Sequence, residues 1–323
     1  MFNLPIVNIL TIDICYCMIC LSMELFDSSS IVETKRGPIE YATLGEGAAV
    51  LVIHGCPGGF DQGIVAARLA TGGDFKFIAP SRPGYLRTPI TVGATPEAQA
   101  DAYASLLDEL AISKAAIIGI SGGGPSALHF ALRYPERCSA LVAVSAISRR
   151  LSQAEITNCK SVVRRTFFTF GLFAKLLWHG ALAATKGCRD YVVKSLIGKK
   201  LKFALKSLTR KEDMDFFLGM LRSCSMLSMR KPGLKNDMTQ LTTMAQIPFE
   251  EITIPTLVLH GSDDRVVPFS HAQLIAGRVP HSKLMEVKGG GHLFFATHRE
   301  EVVPVVMDFL KRNVNSADAS EPI

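Results

Sequence analysis

The chain has 323 residues, of which 48% are apolar and 20% charged, a balance typical of a globular protein with a large buried core. Eight cysteines in a chain of this length do not indicate a disulfide framework. Cys17 and Cys20 have C-x-x-C spacing, but no second pair completes a zinc site. The net charge of +6 comes without a recognised nucleic-acid-binding motif, so we expect no nucleic-acid partner.

The N-terminal segment, residues 1–27, is unusually apolar. Between Leu4 and Met23, fifteen of twenty residues are apolar, and no lysine or arginine precedes Lys35. The length approaches that of a membrane span, but Asp13 interrupts it, and a secretory signal would begin with basic residues. A membrane anchor, an aberrant signal and an arm packed on the body all stay open. Membrane association is slightly favoured over a purely cytoplasmic location.

Short apolar strands alternate with helices from residue 31 onward. The predicted elements are a hairpin at 31–35 and 39–44, a strand at 49–54, a helix at 61–70, a strand at 75–79, a helix at 96–110 capped by Thr95, a strand at 115–120, a helix at 127–132, and strands at 140–144, 256–260 and 283–287. Strands and helices at this spacing predict a mostly parallel, doubly wound sheet.

The alternation is interrupted between residues 148 and 249, and this segment is basic. Residues 149–245 hold 19 lysines and arginines against 6 acidic residues, while the rest of the chain holds 16 against 23. Apolar and basic residues mix in helical stretches at 167–184 and 191–208. The charge predicts either attraction to an anionic membrane surface or a solvated surface of amphipathic helices.

Ser121 stands in the most informative turn of the chain. The segment Gly119–Gly123 has the pattern G-x-S-x-G and lies between the strand at 115–120 and the helix at 127–132. Glycines two residues before and after the serine allow a turn that is too tight for side chains. Such a turn lifts the hydroxyl out of the sheet and places it at a helix N-terminus, where main-chain N–H groups stabilise negative charge.

Three further polar turns follow predicted strands. They are His54–Gly59, Gly261–Pro268 and Gly289–His292. The carboxyl ends of parallel strands meet at one edge of a sheet, and open α/β sheets place their active sites there. We therefore expect these three turns to lie beside Ser121.

The chain order serine, aspartate, histidine in these turns resembles the serine α/β-hydrolase superfamily, in its esterase and proline iminopeptidase-like branch. The resemblance covers about residues 31–147 and 250–312. It implies the α/β-hydrolase fold, with a core at 28–147 and 250–313, an inserted helical cap at 148–249 and a polar tail at 314–323.

The resemblance implies roles for the polar residues. A serine hydroxyl is a poor nucleophile until a base takes its proton, and the base needs a carboxylate to orient it. By resemblance, Ser121 is the nucleophile, His292 the base and Asp264, counted from Gly261, the acid. Asp263 stays open as the alternative acid. The histidines without a comparable motif are His260, His271, His281 and His298.

An oxyanion hole is also implied. Two main-chain N–H donors must point at the oxygen that becomes negatively charged during attack. By resemblance these are the N–H groups of Gly122 and Cys56, and the Cys56 thiol need not take part. The residues that support the turns are His54, Gly55, Gly119 and Gly123. No metal ion or organic cofactor is expected.

Hydrolysis of a carboxylic ester through an acyl-enzyme is the first prediction, on a small-molecule ester or amide. An aminopeptidase similar to the proline iminopeptidases is the second. It would need acidic cap residues to hold a substrate ammonium group, and the basic balance argues against it. The acidic residues available are Glu155, Glu212, Asp213 and Asp215. A carbon–carbon bond hydrolase and a non-catalytic ligand-binding protein on the same fold stay open.

Overall fold

A computed structural model of the protein describes residues 28–70, 75–158, 161, 216, 219, 223 and 227–318. The apolar segment at 1–27 and the basic helical stretches at 167–184 and 191–208 lie outside these residues, so the membrane association inferred from them stays a prediction. Within the described part of the chain, no helix combines the length and the apolar character that crossing a membrane requires.

One sheet forms the centre of the described structure. Its eight strands are β1 (Ser30–Thr34), β2 (Gly37–Leu44), β3 (Ala48–Ile53), β4 (Phe75–Pro80), β5 (Ala115–Ile120), β6 (Cys138–Val144), β7 (Thr256–Gly261) and β8 (Ser282–Val287). Their order is β1-β2-β4-β3-β5-β6-β7-β8. β1 and β2 form an antiparallel hairpin, β2 pairs antiparallel with β4, and the six strands β3 to β8 are mutually parallel. The predicted mostly parallel sheet is confirmed.

Helices cover both faces of this sheet. The described helices include α1 (Phe60–Ala67), α2 (Pro96–Glu109), α3 (Gly124–Arg133), α4 (Leu227–Thr243), α5 (Ser270–Arg278), α6 (Phe294–Thr297) and α7 (Arg299–Asp318). Successive strand residues point to opposite faces, so Leu51 packs in the core under α2, α3 and α5, and Val52 in the core under α1 and α7. Strands buried on both faces read as continuous apolar runs, as β5 and β6 do.

The strands end at one edge, and their register brings the polar turns together. Ile53, the last residue of β3, pairs with Gly119 of β5. Gly261, the last residue of β7, pairs with Val287 of β8. Each polar turn therefore begins at nearly the same level of the sheet.

The C-terminal helix α7 extends into the segment that the sequence predicted to be a polar tail. The polar tail was expected from residue 314, but α7 continues to Asp318. Its buried side chains recur every four residues, at Val302, Val306, Leu310 and Val314, and pack on the sheet. This spacing is that of a helix face, and it carries the helix past the predicted boundary.

Candidate active site

Ser121 lies at the junction between β5 and α3. A single 3-10 turn, Ser121–Gly123, connects the strand to the helix. Ser121 has φ +49°, in the left-handed region that residues with a side chain rarely adopt. A Cβ at Gly123 would lie 2.6 Å from the main-chain oxygen of His54, so only glycine permits this approach. The turn therefore presents the serine hydroxyl at the N-terminus of α3.

Ser121, His292 and Asp264 form a continuous chain of hydrogen-bonding distances. His292 Nε2 lies 3.0 Å from Ser121 Oγ, and His292 Nδ1 lies 2.7 Å from Asp264 Oδ2. Because the carboxylate only accepts hydrogen bonds, it fixes the proton on Nδ1 and leaves Nε2 free to accept from the serine. The structure thus brings together the three residues to which the sequence assigned nucleophile, base and acid.

The Asp264 carboxylate is buried, and both of its oxygens have hydrogen-bonding partners. Its Oδ1 accepts from the main-chain N–H groups of Val266 and Val267, at 2.8 and 3.0 Å. His260 Nε2 lies 3.3 Å from Oδ2. Burial by itself would raise the pKa of the Asp264 carboxyl, but the His292 ring and the hydrogen bonds outweigh it and hold that pKa well below its usual range. Asp264 is therefore ionised at neutral pH.

Asp263 and Asp264 differ in position although they are adjacent. Asp263 is exposed, and its main-chain N–H donates to Gly290 O at 2.9 Å. That bond ties the acid turn to the glycine turn before His292. The side chain that reaches His292 belongs to Asp264, as the count from Gly261 predicted.

The turn after β3 is held by side chains of the core. Gly55 N–H donates to Gln62 Oε1 at 2.7 Å, and Gln62 Nε2 donates to Pro57 O at 3.3 Å. The His54 ring bridges Gly55 O at 2.7 Å and Arg82 N–H at 2.9 Å. Burial, and next the Arg82 charge, lowers the pKa of His54 well below its usual value. His54 is thus a neutral structural histidine.

Cys56 and Gly122 lie against each other beside Ser121. A Cβ at Gly122 would overlap the Cys56 sulfur, and a Cβ at Gly55 would lie 3.1 Å from the Ser121 Cβ. Among the turn and loop hydrogen bonds of the described residues, none uses the N–H of Cys56 or Gly122 as donor. Both groups are available to an acceptor at this point.

Sequence reasoning missed a buried polar cluster behind Cys56. It consists of Arg82 and Tyr85, in the turn after β4, and Asp237 of α4. The turn after β4 follows a parallel strand at the site edge, which is a signal that the sequence contained. Asp237 lies in the segment 148–249, where no pattern distinguished it.

Among the described hydrogen bonds, the histidine that contacts Ser121 is His292; His260 contacts Val267 O at 2.9 Å, and His281 is exposed. His271 is buried and accepts from Ser148 N–H at 3.1 Å through Nδ1, and His298 Nδ1 lies 2.8 Å from Thr297 Oγ1. In the described part of the chain, no group of three or more histidine, cysteine or acidic side chains could hold a metal ion.

A family model described as alpha/beta hydrolase fold matches residues 48–299. A solved structure of an alpha/beta hydrolase fold protein from Nakamurella multipartita has TM-score 0.72 and 30% sequence identity, covering 88% of this chain and 99% of that chain.

Two curated relatives carry names that state an activity class. The uncharacterized hydrolase YcgS of Bacillus subtilis is 26% identical over 279 residues, 85% of this chain and 95% of that protein. A poly(3-hydroxyalkanoate) depolymerase of Ectopseudomonas oleovorans is 30% identical over 210 residues, 65% of each chain.

Proposed function

Because the chain belongs to the alpha/beta hydrolase fold family, we propose that it is a serine hydrolase that cleaves a carboxylic ester through an acyl-enzyme on Ser121. The observation that carries the proposal is the continuous hydrogen-bonding path from Asp264 through His292 to Ser121 Oγ. A buried, ionised carboxylate that orients an imidazole against a serine is the arrangement that activates a hydroxyl nucleophile.

The reaction runs in two halves. Ser121 Oγ attacks the ester carbonyl while His292 Nε2 takes its proton, and Asp264 stabilises the imidazolium that forms. The negative oxygen of the tetrahedral intermediate accepts from the N–H groups of Cys56 and Gly122. His292 then protonates the leaving alcohol, and a water activated by the same histidine hydrolyses the acyl-enzyme. Loss of one oxyanion donor typically costs about 10²- to 10³-fold in kcat.

The described charges of the segment 148–249 favour an ester over the N-terminus of a peptide, while Glu212, Asp213 and Asp215 lie outside the described residues. Glu155 is already paired with Arg149 at 2.8 and 3.1 Å, and it accepts from Ser152 N–H at 2.7 Å. Burial would raise the pKa of Glu155, but these partners lower it to about 2. Asp237 likewise forms a buried salt bridge with Arg82. These two carboxylates, engaged by the protein's own cations, are poorly suited to hold a substrate ammonium group.

The segment 148–249 is proposed as a cap over this site. Its described helix α4 lies beside the turn that contains Cys56, because Asp237 contacts the Cys56 thiol. A cap in this position would select the acyl and alcohol groups that enter.

A fluorophosphonate probe tests the proposal directly. We expect rapid labelling of wild-type protein and none of Ser121→Ala, since only an activated serine reacts quickly. Three kinds of substrate then identify the bond cleaved. Nitrophenyl esters of increasing chain length test for an esterase, a proline arylamide for an aminopeptidase, and a vinylogous diketone for a carbon–carbon bond hydrolase. Faster cleavage of the arylamide or the diketone than of every ester would replace the ester proposal, and absence of labelling would favour a ligand-binding protein.

A further inference from the structure

The carboxylate of Asp237 is the centre of a buried cluster. Asp237 Oδ1 accepts from Arg82 Nη2 at 2.5 Å, and Oδ2 accepts from Arg82 Nη1 at 3.0 Å and from Tyr85 OH at 2.5 Å. The Cys56 thiol donates to the same Oδ2 at 2.6 Å. Asp237 and Arg82 are each only about 3% exposed. A buried ion pair is tolerated when hydrogen bonds satisfy its remaining groups, as they do here.

The Cys56 thiol connects this cluster to the reacting residues. Burial, and next the negative charge of Asp237, raises the pKa of the thiol well above its usual value, so it remains a protonated donor. The sulfur also fills the space beside the Gly122 Cα. The thiol therefore has a defined position between Asp237 on one side and the turn that carries Ser121 on the other.

The turn that carries Cys56 needs external restraints. It contains Gly55, Gly58 and Gly59, which leave its main chain many accessible conformations. Core side chains restrain Gly55 and Pro57 through Gln62. The Cys56 side chain has two hydrogen bonds: Sγ accepts from Arg82 Nη1 at 3.7 Å, and the thiol donates the shorter one, at 2.6 Å, to Asp237 of α4.

Helix α4 is itself firmly docked, so it can serve as an anchor. Gly233 N–H donates to Gly84 O at 2.7 Å, and Leu86 N–H donates to Met229 O at 2.9 Å. A Cβ at Gly233 would overlap the Tyr85 ring, which shows how closely the helix approaches the turn after β4. Asp237 is thus presented to Cys56 from a fixed support.

We propose that Asp237 is a positioning residue for the reaction: by holding the Cys56 thiol, it fixes the direction of the Cys56 N–H at the oxyanion. The inference rests on the proposed function. Asp237 makes no contact with the reacting atoms in this scheme and acts only through Cys56. It follows that the segment 148–249 contributes to the rate of the chemical step and not only to substrate selection.

Cysteine substitutions test this with little risk to the fold. Cys56→Ala removes the thiol donor but leaves Asp237 its three hydrogen bonds from Arg82 and Tyr85, whereas Cys56→Ser keeps a donor. Cys138→Ala is the matched control, because Cys138 is also buried but stands at the start of β6, the end of the strand opposite to the site. Asp237→Asn changes the other partner of the thiol hydrogen bond and is the second variant to be measured.

Steady-state kinetics on the best nitrophenyl ester, normalised to fluorophosphonate-reactive sites, give the readout. We expect Cys56→Ala to lower kcat about tenfold with KM within about twofold, since a misdirected oxyanion donor weakens transition-state binding only. The kcat of Cys56→Ser should lie within about threefold of the wild-type value, and the kcat of Cys138→Ala should equal it. The double variant Cys56→Ala/Asp237→Asn should be no slower than the slower single variant.

The outcomes separate this inference from the proposed function. If wild-type protein is not labelled at Ser121, the proposed function fails. If wild type is labelled, three results would each contradict the positioning role and leave the hydrolase proposal intact. They are an unchanged kcat in Cys56→Ala, a change in KM alone, and a kcat of Cys56→Ser no higher than that of Cys56→Ala.

Discussion

Arg230 of α4 donates two hydrogen bonds to the carboxylate of Asp61 in the first turn of α1, at 3.1 and 2.7 Å. Arg230 is fully buried, and Asp61 is almost so. This pair joins the helix that carries Asp237 to the helix that follows the Cys56 turn. Arg230 Nη1 would lie 2.7 Å from a Cβ at Gly59, so the pair packs closely against the end of that turn.

Breaking this pair should be costly. Arg230→Met leaves the Asp61 carboxylate buried and unpaired, and we expect a loss of about 3–5 kcal/mol in the free energy of unfolding. Arg312→Met is the control, because the Arg312–Asp308 pair is exposed and should contribute less than about 1 kcal/mol. Urea unfolding measures both. A loss at Arg230 no larger than at Arg312 would contradict the assigned role.

The two adjacent aspartates should differ sharply in activity. Asp264→Asn removes the negative charge that orients His292, and we expect kcat to fall by about 10⁴-fold, as such substitutions do in serine hydrolases. His292→Ala should be similarly impaired. Asp263→Asn should stay within about threefold of wild type, because the Asp263 side chain is exposed and the carboxylate that contacts His292 is that of Asp264. Ester hydrolysis measures all three, and greater damage from Asp263→Asn would reassign the acid.

A methyl group at Gly122 should disturb the oxyanion site. The Cβ of Gly122→Ala would overlap the Cys56 sulfur, so one of the two turns must move. We expect kcat to fall at least about 10²-fold, the usual effect of losing an oxyanion donor. Gly277→Ala is the control, since a Cβ there meets nothing within 4 Å. Equal ester turnover by the two variants would mean that the neighbourhood of Cys56 and Gly122 is not used in the reaction.

His271 should make stability depend on pH. Its burial, and next the Arg149 charge, lowers its pKa to about 4 in the folded protein. The unfolded chain takes up this proton near pH 6.5, whereas the folded protein does not until about pH 4, so stability is lost as the pH falls between these values. Between pH 7 and pH 5 the loss is about 2 kcal/mol.

His271→Gln should abolish that part of the slope. Urea unfolding of wild type and variant at pH 7, 6 and 5 measures it, because other groups titrate alike in both proteins. Parallel curves would show that His271 does not carry the pH dependence.

The sequence by itself predicted the strands and the order of the polar turns along the chain. It also singled out a serine, an aspartate and a histidine as candidate site residues. Apolar runs of four to six residues and the glycines around Ser121 are local signals, since a buried strand and a tight turn each impose their own composition. The N-cap Thr95 is another local signal, and its Oγ1 accepts from Ala98 N–H at 3.2 Å as expected. The assignment of the acid to Asp264 depends instead on the resemblance to the α/β-hydrolases, which supplies the count from Gly261.

The contacts of Asp237 and Arg230 were decided only by the tertiary structure. Asp237 lies 155 residues from Arg82 along the chain, and Arg230 lies 169 residues from Asp61. A buried charge has no periodicity or spacing of its own, and the sequence cannot distinguish it from a solvated one. Because packing removes the water around such a charge, the charge is tolerated only beside a partner of opposite charge, and the folded chain as a whole supplies that partner.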